Sequence, residues 1–136
     1  MKIMNVKIIL EASKIAECWA FYSALGIEWL AGEDQVSDLK AFTETPNEKG
    51  LPELWGKLGN VELLFFRNSK QKSPERGMIL QVNIEDQNAM TEVLEKLKVK
   101  NVLVLHPQSD VEEGYVRISD PDGRILELSN ASYFGT

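Results

Sequence analysis

The sequence is poor in the side chains that most often mark metal centres and nucleophilic sites. Among 136 residues there is one cysteine, Cys18, and one histidine, His106. A lone cysteine excludes an internal disulfide and fits a reducing, cytoplasmic setting. Its place in a helical stretch assigns Cys18 to packing. No apolar run approaches the roughly 20 residues of a membrane span. The opening "MKIMNVKIILEA" lacks a small-residue cleavage site, so it reads as a first strand and no membrane partner is expected. Basic patches are scarce: 15 Lys and Arg stand against 21 Asp and Glu, a net charge of -6. That balance argues against nucleic acid and mildly favours cationic or neutral ligands. A phosphate-binding glycine loop is missing, and so is a paired-cysteine metal motif. "SDPDGR" lacks the further acidic ligands of a calcium loop and reads as a turn.

What is present is a repeat. "KIILEASKIAECWAFYSALGIEW" (7–29) lies over "ILQVNIEDQNAMTEVLEKLKVKN" (79–101) without a gap. Both begin with period-two alternation and switch to helical spacing. Ser13 and Asp86 stand where helix N-caps belong, and Gly26 where the first helix should stop. Helix one should turn Ile15, Trp19, Tyr22 and Leu25 inward; helix two, Ala89, Met90, Val93, Leu94 and Leu97. Short strands follow in each half: "GIEWLAG", "LKAF" and "VELLFF", then "NVLVLHP", "GYVRIS" and "RILELS". "TETPNEKGLPELWGKLGN" reads as loop, from its prolines and glycines. "RNSKQKSPERG" (67–77) reads as a linker. "DPDG" is a turn, with Pro121 presetting φ and Gly123 supplying a positive one. The expected organisation is one domain, 1–136, made of a βαβββ repeat over 1–68 and a second over 77–131. His106 is read as a strand-end residue.

The last strands also match, "VELL" against "LELS", which sets Glu62 opposite Glu127. A carboxylate therefore recurs inside an apolar strand. Alternation predicts that Ile8, Leu10, Leu63, Leu80, Val82 and Leu128 pack under the helices. The other face then carries Lys7, Ile9, Glu11, Glu62, Leu64, Phe66, Ile79, Gln81, Asn83, Tyr115, Arg117, Ile125, Glu127 and Ser129. Such a mixture of apolar, aromatic and charged groups suits a concave ligand surface.

The order βαβββ-βαβββ, "AFYSALGIEW", "VNIED" and the closing "DPDGRILEL" resemble the vicinal oxygen chelate superfamily of glyoxalases, bleomycin-resistance proteins and extradiol dioxygenases. The resemblance spans nearly the whole chain. It implies an α+β fold in which the helices pack outside a strongly curved mixed sheet that forms a cup. It also implies a divalent metal held by His and Glu from the first and last strand of each half. Those positions fall on Lys7, Glu62, Ile79 and Glu127, so both usual histidines are lost. Ile79 has no lone pair, and Lys7 is an ammonium with donors only. A shifted register would bring Glu11 or Gln81 inward as substitute oxygen ligands.

The expectation is therefore a protein without metal or cofactor, closest in character to the bleomycin-resistance branch. It would bind a small molecule, cationic or aromatic, in a cleft at a homodimer interface. Lys7, Trp55, Glu62, Phe66, Ile79, Gln81, Tyr115, Arg117 and Glu127 would line that cleft; no residue is assigned a catalytic role. Two answers stand for the carboxylates: pairing with Lys7 and Arg117, or recognition of a cation. The alternatives in function are a metal-dependent lyase, isomerase or dioxygenase with atypical ligands, and a non-catalytic dimerisation module.

Overall fold

The computed structural model describes residues 1–32, 53–67 and 78–130. The chain divides into two compact units, Met1–Lys72 and Ser73–Thr136. In the first, strand β1 (Lys7–Ala12) leads to helix α1 (Ile15–Leu25), then β2 (Glu28–Ala31), β3 (Leu54–Leu58) and β4 (Val61–Arg67). In the second, β5 (Ile79–Ile84) leads to α2 (Gln87–Val99), β6 (Val104–Leu105), β7 (Tyr115–Ser119) and β8 (Ile125–Asn130). Each unit forms a four-stranded mixed sheet with the same topology, β1-β4-β3-β2 and β5-β8-β7-β6. The first strand of each half runs parallel to the last, and the remaining pairs are antiparallel. This is the α+β βαβββ repeat that the sequence pattern predicts.

Alternation decides which face is core. In the first unit Leu10, Leu54, Leu63 and Phe65 are buried together with Ile15, Phe21 and Tyr22 of α1. Tyr22 and Phe65 pack as a tilted ring pair with centroids 4.8 Å apart. In the second, Val116, Ile118, Leu126 and Leu128 are buried with Met90 and Leu97 of α2. Each such side chain contributes on the order of 1.5–3 kcal/mol by leaving water. Ile8, Leu80 and Val82 are half-buried rather than fully covered. On α1 the buried set includes Cys18 and Ala24, while Trp19 and Leu25 are half-buried. Cys18 is a packing residue with no exposure.

Local signals hold in part. Asp86 caps α2, its carboxylate accepting from the Ala89 N–H at 2.8 Å. Gly26 closes α1 in the left-handed region at φ 95°. The cap of α1 falls on Lys14, one residue after the expected Ser13, and has no side-chain cap bond. The largest departure is β3: "LWGKL" lies in the stretch read as loop and is instead a strand between β2 and β4. Gly56 is one of the prolines and glycines on which the loop reading rests. It is not turn punctuation: a Cβ there would lie 2.7–2.9 Å from Ile27 and Trp29 side-chain atoms, so any larger residue forces those side chains to shift. Strand β6 is shorter than "NVLVLHP" suggests, because Asn101 turns left-handed at φ 58° and pairing starts only at Val104. Arg67, assigned to the linker, ends β4 and bonds Glu53 at 2.9 Å. Burial pushes the Glu53 carboxyl above its ordinary range, with Arg67 opposing. The predicted "LKAF" strand and nearly all of the linker lie outside the described residues.

The DPDG turn does more than set φ. Gly123 has φ 91° as expected. Asp120 also accepts from the backbone N–H groups of Asp122 and Arg124, both at 2.9 Å. Its second oxygen meets Arg124 Nη1 at 3.2 Å, with both side chains almost wholly buried. The turn that aims β8 is thus pinned by an ion pair on the helix side of the sheet.

Candidate functional site

Strand β8 is central in the second sheet, so Glu127 has a neighbour on either side. Gln81 of β5 and Arg117 of β7 are its in-register partners. Registered partners point to the same face, and here it is the face away from Leu126 and Leu128. The carboxylate accepts three hydrogen bonds there. The Tyr115 hydroxyl donates to Oε1 at 2.7 Å and Arg117 Nε donates to the same oxygen at 3.1 Å. Gln81 Nε2 donates to Oε2 at 3.0 Å. The Tyr115 hydrogen bond, more than Arg117 and Gln81, holds the Glu127 carboxyl below its usual range against partial burial. The same bond keeps the Tyr115 phenol protonated above its ordinary value. Glu127 is an anchored anion. A carboxylate held low is also a weak base, so the geometry suits anchoring better than proton abstraction.

The first sheet repeats the plan with other side chains. Glu62 on β4 has Lys7 of β1 and Lys57 of β3 as registered partners. Lys7 Nζ lies 3.6 Å from Glu62 Oε2 and 4.6 Å from the centre of the Trp55 ring. Trp55 precedes Lys57 by two residues as Tyr115 precedes Arg117, so an aromatic and a cation flank each glutamate. The sets differ in satisfaction. Lys7 and Glu62 are a looser, part-exposed pair, of the kind that stabilises by at most about 1 kcal/mol. Among the described residues, Glu62 Oε2 and the Trp55 indole N–H are buried without a hydrogen-bond partner. Trp55, expected in a loop, is a half-buried strand residue. Phe66 and Leu64 lie along the same open face of β4, also half-buried.

Register corrects one equivalence. The ungapped repeat sets Lys7 over Ile79, yet Glu62 faces Lys7 whereas Glu127 faces Gln81. The structural counterpart of Lys7 is therefore Gln81, two residues on and on the same face. Ile79 pairs with Ile125 one row away and is 44% exposed. Glu11, paired with Phe66, is exposed on the open face.

These residues do not fit a divalent ion of the kind the resemblance implies. Among the described residues no three His, Cys, Asp or Glu side chains gather as a ligand set. Lys7 offers donors only, both Glu127 oxygens are engaged, and Gln81 turns its N–H donor to Glu127. Pairing, rather than a vacant carboxylate awaiting a cation, accounts for Glu127, whereas Glu62 has the looser contact with Lys7.

Sequence reasoning missed two neighbours. The His106 N–H donates to the Arg117 carbonyl at 2.9 Å, continuing the β6–β7 ladder past the strand end. Its ring Nε2 lies 2.7 Å from Ser119 Oγ on the open face. The row across the second sheet is thus His106, Arg117, Glu127 and Gln81. Only hairpin register could have shown this, because His106 matches no ligand position.

Comparison with known proteins agrees on the fold. FosX, the fosfomycin resistance protein of Mesorhizobium loti, superposes with a TM-score of 0.65 at 10% identity, covering 95% of this chain and 92% of that one. A glyoxalase family protein from Enterococcus faecalis gives 0.54 at 22% identity, covering 94% and 96%. A bleomycin-binding protein complexed with bleomycin gives 0.55 at 17%, covering 94% and 98%. No family model and no curated protein matches the sequence. The chain has the vicinal oxygen chelate fold shared by these glyoxalase, FosX and bleomycin-binding structures.

Proposed function

We propose that this protein binds a small molecule, without a metal ion, on the open face of its second sheet. The observation that carries the reading is Glu127, locked by Tyr115, Arg117 and Gln81 on a part-exposed face that also bears Ile79 and Ile125. Preorganised polar groups beside apolar surface are the makings of a binding face. The bleomycin-binding neighbour is a precedent for ligand binding on this fold. The same reading has the protein act as a homodimer. Its support is the apolar surface at the edge strand β1, where Ile9 is 60% exposed and Val6, just before the strand, 75%. Among the described residues no helix is long and apolar enough to cross a membrane.

The test is amide shift mapping of the labelled full chain against a set of anionic, neutral and cationic aromatic fragments. Saturable shifts on open-face residues of β5, β7 and β8 are expected. Shifts confined to other surfaces, or none across the set, would remove the reading.

A further inference from the structure

The polarity of the ligand follows from Arg117. A guanidinium has five N–H donors in a planar fork. Arg117 uses Nε on Glu127 and rests on the Tyr115 ring at 6.0 Å, the phenol being its other neighbour. Beyond those two side chains, no described residue engages the guanidinium, and a third of the side chain is exposed. N–H donors of the fork remain beyond these contacts, and Nε is held by a carboxylate whose side chain is only 15% exposed. An arginine fixed through Nε and a third exposed keeps terminal N–H donors of the kind that meet a carboxylate in two parallel hydrogen bonds.

The neighbouring row supplies the other half. Beside Arg117, Glu127 and Gln81 run Val104, Ser119, Ile125 and Ile79, one step along the same face. Val104 is 55% exposed and Ile79 44%. Two residues along a strand is about 6.6 Å, the reach from a carboxylate to the body of a small aryl-alkanoic acid.

We infer that the open face of the second sheet takes small amphipathic carboxylates, with the anion on the Arg117 fork and the apolar body over the Ile79–Ile125 row. The inference rests on the binding reading above and adds its ligand class, opposite in charge to what overall composition suggests. Glu127 and Arg117 together are neutral, so directed hydrogen bonds rather than net field select the anion. Glu127 is then the support that keeps the fork rigid.

The experiment titrates labelled full-length protein with 3-phenylpropionate, its amide and 3-phenylpropylamine, following backbone amides and the Arg117 Nε–Hε resonance. The acid is expected to saturate, to move Arg117 and Ile79, and to bind about tenfold tighter than the amide, since charge-assisted hydrogen bonds are roughly twice as strong as neutral ones. Arg117→Gln should weaken the acid at least as much, and Arg117→Lys, which keeps charge but not the fork, should restore only part. Ile79→Asp leaves the Glu127 cluster intact and should also weaken the acid, so the inference stays testable if Arg117→Gln fails to fold. Equal binding of acid and amide, tighter binding of the amine, or an acid indifferent to Arg117→Gln and Ile79→Asp would overturn it. In the first two cases shifts on the open face would leave the broader binding reading standing. Silence from all three probes overturns the carboxylate inference, and the wider fragment set then decides the rest.

Discussion

A glutamate inside an apolar strand needs partners, because an unpaired buried carboxylate is costly. Glu127 has three, and they hold its pKa below the ordinary value. The consequence for stability has a definite sign. A depressed folded-state pKa means that the ionised form is favoured by folding. That contribution is present above the unfolded carboxylate value and is lost as pH falls through the lower folded one. Glu127→Gln removes it. Denaturant unfolding at stepped pH should show the largest gap between wild type and variant near neutrality, closing as the medium becomes acid. A gap that does not change with pH would mean that Glu127 is not held as an anion. Residue types alone made Glu127, Arg117, Tyr115 and Gln81 legible as candidates, because alternation puts all four on one face. The three-bond arrangement was not legible, since it depends on cross-strand register.

Elements were read well where propensity and periodicity agree. β1, β4, β5, β8 and the two described helices lie close to where the sequence pattern sets them. β3 was missed because glycine has two uses. In a turn it supplies backbone freedom; at Gly56 it supplies room beneath Ile27 and Trp29. Only the packed neighbour tells the two apart. Gly56→Ala should therefore destabilise the fold by about 1–3 kcal/mol, the range for overpacking, measured by denaturant unfolding. A neutral or stabilising effect would show that β2 and β3 can part cheaply. The same limit explains His106, whose place beside Arg117 follows from a hairpin that the sequence marks only by "HPQSDVEEG".

At the scale of the whole molecule, one plan appears twice with different chemistry. Each sheet carries a glutamate between registered partners and an aromatic two residues before a cation. The first unit uses lysines and a tryptophan and, among the described residues, leaves Glu62 Oε2 and the Trp55 N–H without hydrogen bonds. The second uses arginine, tyrosine and glutamine and satisfies its carboxylate fully. This asymmetry is the ground on which the proposed binding face is assigned to the second unit. The fold that hosts it is compatible with several chemistries, so the balance rests on what occupies the glutamates: protein donors or a divalent ion.

The most direct measurement is metal content by mass spectrometry on natively purified protein, with thermal shift against Zn, Ni, Mn and Fe(II), for wild type and Glu127→Gln. The account predicts less than stoichiometric metal and no metal-specific shift that Glu127→Gln abolishes. A stoichiometric ion lost in that variant would make Glu127 a ligand and contradict the account.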